Sequence, residues 1–217
     1  MALIKPFLRH INKTKALIID IRGNGGGDSA YWSNNLVPML INHDYACSAY
    51  DTFRGGSFCE QFLKERLGEG YKELSPISDI IHLKNIPPEI KTDFKYYTKD
   101  HMMAFPKDSI NYKGKIYLLV DNGVFSSAEM FAVFCKGSKF ATIVGTRTGG
   151  DGIGFDPAVC ALPNSGFIIS FPQMMGLTAD GTCNFEYGTK PDISVPTAVN
   201  PDLSKDVAVQ KIIALNN

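Results

Sequence analysis

Two adjacent serines, Ser126 and Ser127, stand where a nucleophile could be held at the start of a helix. The preceding run 115–121 is apolar and rich in β-forming residues, which predicts a buried strand. The apolar spacing of residues 130–134 predicts a helix after the serines, with a stop at Gly137. Unpaired N–H groups and the positive end of the helix dipole could then stabilise the oxyanion formed when a serine attacks a carbonyl group.

The same serines also fit a purely structural role. Serine is a common helix N-cap, and Glu129 follows Ser126 at the spacing of a capping box. On this stretch alone, capping is the commoner role of a serine at such a position. Both interpretations stay open until other parts of the chain are considered.

A second junction between a strand and a loop carries consecutive glycines. The run 16–21 is continuously apolar, which is typical of a strand buried on both faces, and it leads into residues 22–28. Glycines 25–27 could form a flexible turn, or they could bring backbone N–H groups close to a ligand oxygen because no Cβ intervenes. Neither the Walker pattern nor the dinucleotide fingerprint matches here, so we predict no nucleotide site.

Composition narrows the class of protein. The chain has 217 residues, of which 44% are hydrophobic and 20% charged, as in an ordinary globular protein with a sizeable core. Its 22 basic and 22 acidic residues give no reason to expect nucleic acid or an acidic membrane as a partner. The five cysteines are scattered without CxxC spacing, so we predict no metal site and no disulfide framework.

Predicted strands and helices alternate along the chain, which indicates an α/β fold with a largely parallel sheet. Ligands of such folds bind at the carboxyl ends of the strands. We interpret residues 55–106, which include His82 and His101, as a lid-like insertion of loops and short helices. The remaining predictions are helices at 4–11, 29–41, 60–67 and 203–215, strands at 45–53 and 140–146, and a β-hairpin formed by 155–162 and 167–171.

Four segments, taken together and in order, resemble one family of serine peptidases, the C-terminal processing (tail-specific) proteases and the tricorn core peptidase. Their fold is related to those of ClpP and crotonase. The matching segments contain an Asp-x-Arg-x-Asn-x-Gly-Gly element, a Ser-x-x-Glu turn, a Gly-x-x-Thr-x-Gly loop and a Glu-x-x-Gly-x-x-Pro-Asp element. In this sequence they are 20–27, 125–129, 144–150 and 186–192.

The resemblance implies a serine peptidase that needs no cofactor and acts on a peptide or protein substrate. Ser126 matches the nucleophile, and the N–H of Ser127 with that of Gly25 or Gly26 would form the oxyanion hole. This implication favours the catalytic interpretation of Ser126, because a capping serine needs no triple-glycine loop on a neighbouring strand. The expected architecture is a ClpP/crotonase-like α/β fold with flanking helices and a β-hairpin extension.

The general base is the point at which this sequence departs from the family. The Ser-Lys branch has a lysine about 25 residues after the nucleophile, where this chain has Asp151. A carboxylate is a weak base for a serine hydroxyl, so Asp151 is interpreted as a substrate-orienting or turn residue. The tricorn branch uses a glutamate that Glu186 matches, together with a histidine on an upstream strand. His10 lies in a predicted helix and does not match that histidine.

We therefore expect a single peptidase catalytic domain that lacks the upstream part of the family's domain and has little or no activity alone. Ser126-dependent peptidase activity from these 217 residues would contradict this expectation and favour His101 or His82 as the base. Two other functions stay open: a non-catalytic homologue that binds peptides along a strand edge, and, less favoured, a crotonase-type acyl-CoA enzyme.

Location is inferred from the apolar runs of the chain. We predict no signal peptide in this chain, and it contains no apolar run of the roughly 20 residues that span a bilayer. We expect a cytoplasmic protein or one of the bacterial cell envelope, depending on what precedes this chain. The assembly state stays open.

Overall fold

The computed structural model describes residues 4–217, and their contacts separate into two compact units. The first unit contains the chain up to Cys47, then His101–Gly152 and Glu186–Asn217. The second contains Ser48–Asp100 and Ile153–Phe185. Most of the predicted insertion at 55–106 falls within the second unit. This unit begins seven residues earlier, at Ser48, and also contains Ile153–Phe185.

The regular elements are numbered in chain order. The strands are β1 (Ala16–Asp20), β2 (Tyr45–Arg54), β3 (Ser75–Pro76), β4 (Phe94–Ala104), β5 (Lys115–Val120), β6 (Thr142–Gly145), β7 (Ala158–Ala161), β8 (Ile168–Phe171), β9 (Met174–Thr178) and β10 (Ile193–Ser194). The α-helices are α1 (Ile4–His10), α2 (Val37–Leu40), α3 (Ser57–Leu67), α4 (Pro88–Asp93), α5 (Ser127–Ser138), α6 (Asn184–Tyr187) and α7 (Val207–Ala214).

The first unit is organised around a parallel sheet with strand order β1-β5-β6-β10. The register pairs Ala16 with Lys115, Tyr117 with Thr142, and Ile193 with Val144. Because parallel strands end at the same edge of a sheet, the loops after β1, β5 and β6 emerge side by side. The parallel sheet with its flanking helices confirms the predicted α/β class.

The core of the first unit lies on both faces of this sheet. On one face, Tyr117, Leu119 and Val144 pack with Ala208 and Ile212 of α7. In the same unit, Trp32 stacks on Phe131 at a centroid distance of 5.2 Å, and Phe134 lies 5.0 Å from Trp32. Helix α5 is therefore anchored by aromatic packing, which holds its N-terminus in place.

The second unit contains a sheet of order β3-β4-β2-β9 and the separate β7-β8 hairpin. Strands β2 and β9 are antiparallel, with Ala49 opposite Thr178 and Phe53 opposite Met174. The hairpin pairs Ala158 with Phe171 and Ala161 with Ile168, which confirms the predicted hairpin.

The prediction that 55–106 contains only loops and short helices was wrong, because it missed β4. In this strand Phe94, Met102 and Ala104 are buried, while lysines and a histidine between them are exposed. These charged and polar residues separate the buried positions from one another, so the strand pattern of the segment was not recognised. Strand β9 was also missed.

Two helix boundaries differ from the predictions for identifiable reasons. The predicted helix at 29–41 is a six-residue π-helical segment at 31–36 followed by the short α2. The predicted stop of α5 at Gly137 was wrong, since the helix continues to Ser138 and Lys139 adopts the left-handed conformation. A Cβ on Gly137 would lie 2.6 Å from the Cβ of Cys47, so this glycine permits close packing and does not end the helix.

Candidate active site

Ser126 occupies a strained turn between β5 and α5. Its backbone has φ 54° and ψ −127°, a combination that a residue with a side chain rarely adopts. Such a conformation costs on the order of 1–3 kcal/mol and persists only where its surroundings enforce it. Here the Ser126 N–H donates to the carbonyl of Gly150 at 3.3 Å, and its own carbonyl accepts from the N–H of Met130 at 2.8 Å.

The capping interpretation of Ser126 was wrong. Ser126 occupies the N-cap position of α5, yet its hydroxyl makes no capping hydrogen bond. The Ser126 Oγ also has no hydrogen-bond partner anywhere in residues 4–217. Glu129 is fully buried and accepts a hydrogen bond from the hydroxyl of Thr189 at 2.7 Å, so no capping box forms. The strained turn thus presents a hydroxyl that the helix does not use.

The predicted oxyanion donors lie on the loop after β1 and at the start of α5. Gly26 contacts the serine turn so closely that a Cβ there would lie 2.7 Å from the Cβ of Ser126 and 3.1 Å from the nitrogen of Ser127. Its φ of 113° also requires glycine. The Ser127 N–H is one of the donors that a helix start leaves without an intrahelical partner.

The two glycines predicted as oxyanion donors differ in their hydrogen bonding. The N–H of Gly26 donates to the side-chain oxygen of Asn24 at 2.9 Å. The N–H of Gly25 makes no hydrogen bond within the described part of the chain. In this conformation Gly25 therefore has the available donor, and Gly26 supplies the space that lets the two loops meet.

Arg22, which precedes these glycines, is held in a buried ion cluster. Its side chain is 1% exposed and pairs with Asp20 at 2.6 Å and with the buried Asp206 at 2.9 Å. The hydrogen bond that Arg22 donates to Asp20 is the main cause of its raised pKa, and burial opposes it. Burial acts to raise the pKa of Asp206, but the hydrogen bonds from Arg22 and from backbone N–H groups lower it overall.

Asp206 was not singled out from the sequence as a partner of the glycine loop. Its carboxylate also caps α7 by accepting hydrogen bonds from the N–H groups of Ala208 and Val209, each at 3.1 Å. The Asp-x-Arg spacing identified Asp20 and Arg22 as part of a motif. Their partner Asp206 could not be identified in this way, because only the fold brings it close to Arg22. The cluster fixes the start of the glycine loop against the C-terminal helix.

Asp151 lies in the loop that contacts the backbone of Ser126. It is exposed, has φ 62°, and directly follows Gly150, whose carbonyl accepts the Ser126 N–H. Phe125 and Gly150 also form an isolated parallel bridge. The structure therefore brings the Asp151 segment beside the serine turn.

Glu186 is exposed in α6, and its carboxylate makes no hydrogen bond to Ser126 or to any other residue in 4–217. The segment after it is fixed to the loop after β6. The Thr189 N–H donates to the Thr148 hydroxyl at 2.6 Å, and the Thr148 N–H donates to the Thr189 carbonyl at 3.2 Å. Through Thr189 and Glu129, this segment is joined to the helix that Ser126 precedes.

The described residues identify no proton acceptor for Ser126. The four histidines, His10, His43, His82 and His101, all have exposed side chains. Among residues 4–217, no cluster of three or more histidine, cysteine or acidic side chains is arranged to hold a metal ion. In the same residues, no helix has the length and apolar character required to cross a membrane.

A cavity of about 580 Å³ lies beside the candidate oxyanion donors. Gly26, Ser127 and Ala128 line one part of it, and the apolar side chains of Trp32 and Phe131 line another. Of the two available donors, Ser127 lines this apolar space, whereas Gly25 is not among its lining residues.

The family model described as Peptidase family S41 matches residues 2–195, which is most of the chain. The chain belongs to this family. Membership confirms the resemblance to the processing proteases, supports a peptidase function in general, and argues against the acyl-CoA alternative. A search of curated protein sequences finds no match.

Solved structures of S41 peptidases and related proteins share the fold at low sequence identity. The photosystem II D1 C-terminal processing protease is 22% identical, with a TM-score of 0.54, over 97% of this chain and 42% of its own. Mature CPAF is 22% identical, with a TM-score of 0.60, over 89% of this chain and 41% of its own. A lipoprotein from Streptococcus agalactiae is 18% identical, with a TM-score of 0.51, over 98% of this chain and 58% of its own. The chain thus spans about half the length of the structures it matches.

Proposed function

We propose that this S41 peptidase domain hydrolyses peptide bonds through an acyl-enzyme formed on Ser126. The observation that carries the proposal is the strained Ser126 backbone, whose hydroxyl has no structural hydrogen bond. Strain of this kind is maintained where it positions a reacting group. A serine with only a structural role would be expected to cap the helix that it precedes.

In the proposed reaction, the Ser126 Oγ attacks the peptide carbonyl carbon and transfers its proton to a base. The carbonyl oxygen becomes an oxyanion that accepts hydrogen bonds from the N–H groups of Ser127 and Gly25. As this intermediate collapses, the C–N bond breaks and the base returns its proton to the leaving amine. The acyl group stays on Ser126 as an ester, which water then hydrolyses to release the carboxylic acid and the free serine. Loss of one oxyanion donor typically costs about 3 kcal/mol of transition-state stabilisation.

The two exposed carboxylates are proposed to orient groups around this reaction. Asp151 follows the residue that binds the Ser126 backbone, which supports a role in orienting the substrate. Glu186 begins the segment that is anchored to α5 through Thr189, and its match to the family motif supports a catalytic role. Neither is proposed as the base that deprotonates Ser126, because carboxylates are weak bases for a serine hydroxyl.

Non-catalytic peptide binding is the second candidate function. It is favoured by one observation, namely that the Ser126 hydroxyl has no basic partner among the described residues. In that case the cavity and the unpaired N–H groups would bind a peptide without cleaving it. The two functions predict opposite behaviour towards reagents that modify activated serines.

A fluorophosphonate probe distinguishes the two functions because it accumulates covalently even when turnover is slow. The chain and its Ser126→Ala and Ser127→Ala variants would be incubated with the probe, and labelling followed over hours. We expect labelling of the parent chain and of Ser127→Ala, which keeps its backbone donor, but not of Ser126→Ala. Equal labelling of all three proteins would contradict the proposal, and no labelling of any, together with measurable binding of an unmodified peptide, would favour the peptide-binding function.

A further inference from the structure

Asp121, the first residue after β5, joins two loops of the candidate site through a single oxygen atom. Its Oδ1 accepts the N–H of Gly23 at 2.8 Å and the N–H of Gly123 at 3.0 Å. Gly23 belongs to the glycine loop after β1, and Gly123 belongs to the turn that leads to Ser126. No motif identified in the sequence includes Asp121.

The two loops come so close at this point that one oxygen atom accepts hydrogen bonds from both. A Cβ on Gly123 would lie 2.9 Å from the Cα of Gly23, so the two backbones are in contact. Gly23 has φ 69°, which directs its N–H towards the neighbouring turn. Both glycines are exposed, so without Asp121 water could satisfy each N–H group separately, and the oxygen that links the two loops would be lost.

One other hydrogen bond joins the same two loops nearer to the serine. The Phe125 N–H donates to the carbonyl of Asn24 at 3.1 Å. Asp121 therefore links the loops at Gly23 and Gly123, and the hydrogen bond between Asn24 and Phe125 links them again closer to Ser126. The candidate donors, Gly25 and Ser127, lie immediately beyond these two links.

We propose that Asp121 is a positioning residue that sets the separation of the two oxyanion donors. The inference rests on the proposed function, since it concerns the hole that would stabilise the oxyanion formed by Ser126. A displacement of about 1 Å in a reacting group can reduce a rate by about 100-fold. If Asp121 no longer accepted both N–H groups, the Asn24–Phe125 bond would have to maintain the geometry alone.

The acceptor geometry of Asp121, and not its charge, is the property that the site uses. A negative charge near the hole would oppose the negative charge that develops on the substrate oxygen. Asparagine offers an oxygen at the same position without that charge, whereas glutamate keeps the charge and moves the oxygen by one methylene. The Asp121→Asn and Asp121→Glu variants therefore separate geometry from charge.

The experiment measures two properties of the parent chain and of the Asn, Glu and Ala variants at position 121. The first is the rate constant for fluorophosphonate labelling of Ser126. The second is amide hydrogen exchange in peptides that cover 22–27 and 121–127. Asp44→Ala serves as the control, because the Asp44 side chain is exposed and forms no hydrogen bond or ion pair among residues 4–217.

We expect Asp121→Asn to label within about twofold of the parent and to exchange normally. Asp121→Glu and Asp121→Ala should label about 10 to 100 times more slowly and exchange faster in both peptides. Parent-like labelling and exchange in Asp121→Ala would overturn the proposal, as would an Asn variant as slow as the Ala variant. If Asp121→Ala fails to fold, the contrast between Asn and Glu decides in the same way.

The two proposals can fail separately. Absence of Ser126 labelling in the parent chain would contradict the proposed function, while the exchange data would still decide whether Asp121 holds the two loops together. Normal labelling of the parent with no effect of any substitution at 121 would contradict the inference about Asp121 alone.

Discussion

At the scale of single residues, the candidate site depends on close contact between the backbones of two loops. Ser126 is held with positive φ, and Gly26 lies so close that a Cβ on it would be 2.7 Å from the Cβ of Ser126. The neighbouring Gly25 has negative φ and open space where a Cβ would project. These two glycines therefore offer a matched test of how tightly the loops must fit.

We predict that Gly26→Ala slows the labelling of Ser126 at least about tenfold, because its Cβ would displace the serine turn. Gly25→Ala keeps its N–H and meets no neighbour, so it should label within about threefold of the parent. Both rates would be measured with the same fluorophosphonate, and thermal unfolding would show that each variant is folded. Equal rates for the two variants would contradict the close fit.

Part of the site could be predicted from the sequence at this scale, because motifs fix residue types. The resemblance to the family motifs put Ser126, Gly25 and Ser127 forward as site residues, and their roles stay predictions. The strain at Ser126 could not be predicted, because it arises from hydrogen bonds to Gly150 and from contact with Gly26. Asp121 was also missed, since its two partners lie on different loops.

At the scale of elements, Glu129 joins helix α5 to the segment that follows Glu186. Its carboxyl group is fully buried and accepts the hydroxyl of Thr189, and Thr189 in turn exchanges hydrogen bonds with Thr148. A Cβ on Gly152 would lie 2.6 Å from the Cγ of Glu129, so the loop that carries Asp151 also packs on this side chain. One buried carboxyl group therefore orders three elements of the site.

We predict that Thr189→Val destabilises the fold by about 1.5–3 kcal/mol, because the buried carboxyl group of Glu129 loses the hydrogen bond from the Thr189 hydroxyl. Thr189→Ser keeps the hydroxyl and loses one methyl group, so it should cost only about 1 kcal/mol. Urea unfolding would measure both differences. A valine variant as stable as the serine variant would show that this hydrogen bond contributes little.

The elements themselves were predicted with uneven success, for physical reasons. The strands of the parallel sheet are continuous apolar runs, which is why β1, β5 and β6 were recognised. Strand β4 carries lysines and a histidine on its exposed positions, and these polar residues concealed its strand pattern. The stop of α5 was misplaced because Gly137 is required for contact with Cys47, which lies far away in the sequence.

At the scale of the whole molecule, the buried ion cluster joins the beginning and the end of the first unit. Arg22 and Asp206 are distant in sequence, and both side chains are almost completely buried. Removing Asp206 would leave the buried guanidinium of Arg22 paired only with Asp20, whose side chain is partly exposed. The cluster therefore makes the stability of the unit dependent on pH.

The sign of this dependence follows from the lowered pKa of Asp206. A carboxyl group with a lowered pKa stabilises the fold above its unfolded pKa of about 3.9, and that stability is lost as the pH falls further. We predict that Asp206→Asn lowers the free energy of unfolding by about 3 kcal/mol at pH 7. Between pH 5 and pH 3, the free energy of unfolding of this variant should fall less than that of the parent. Urea unfolding at the three pH values would measure this.

Asp93→Asn provides the control for the ion cluster. Asp93 pairs with Arg54, and both side chains are about half exposed. An exposed pair typically contributes less than about 1 kcal/mol, so this variant should follow the parent at every pH. If Asp206→Asn had the same pH dependence as the control, the buried cluster would not be the source of the acid sensitivity.

Ser126 is proposed as the nucleophile of a peptidase site, and peptide mapping after covalent labelling identifies the residue that reacts. The unsubstituted chain would be treated with a fluorophosphonate, digested and analysed by tandem mass spectrometry to locate the phosphonylated residue. We predict a single modified position, Ser126, with Ser127 unmodified. An adduct on Ser127 or elsewhere while Ser126 stays unmodified would contradict the claim.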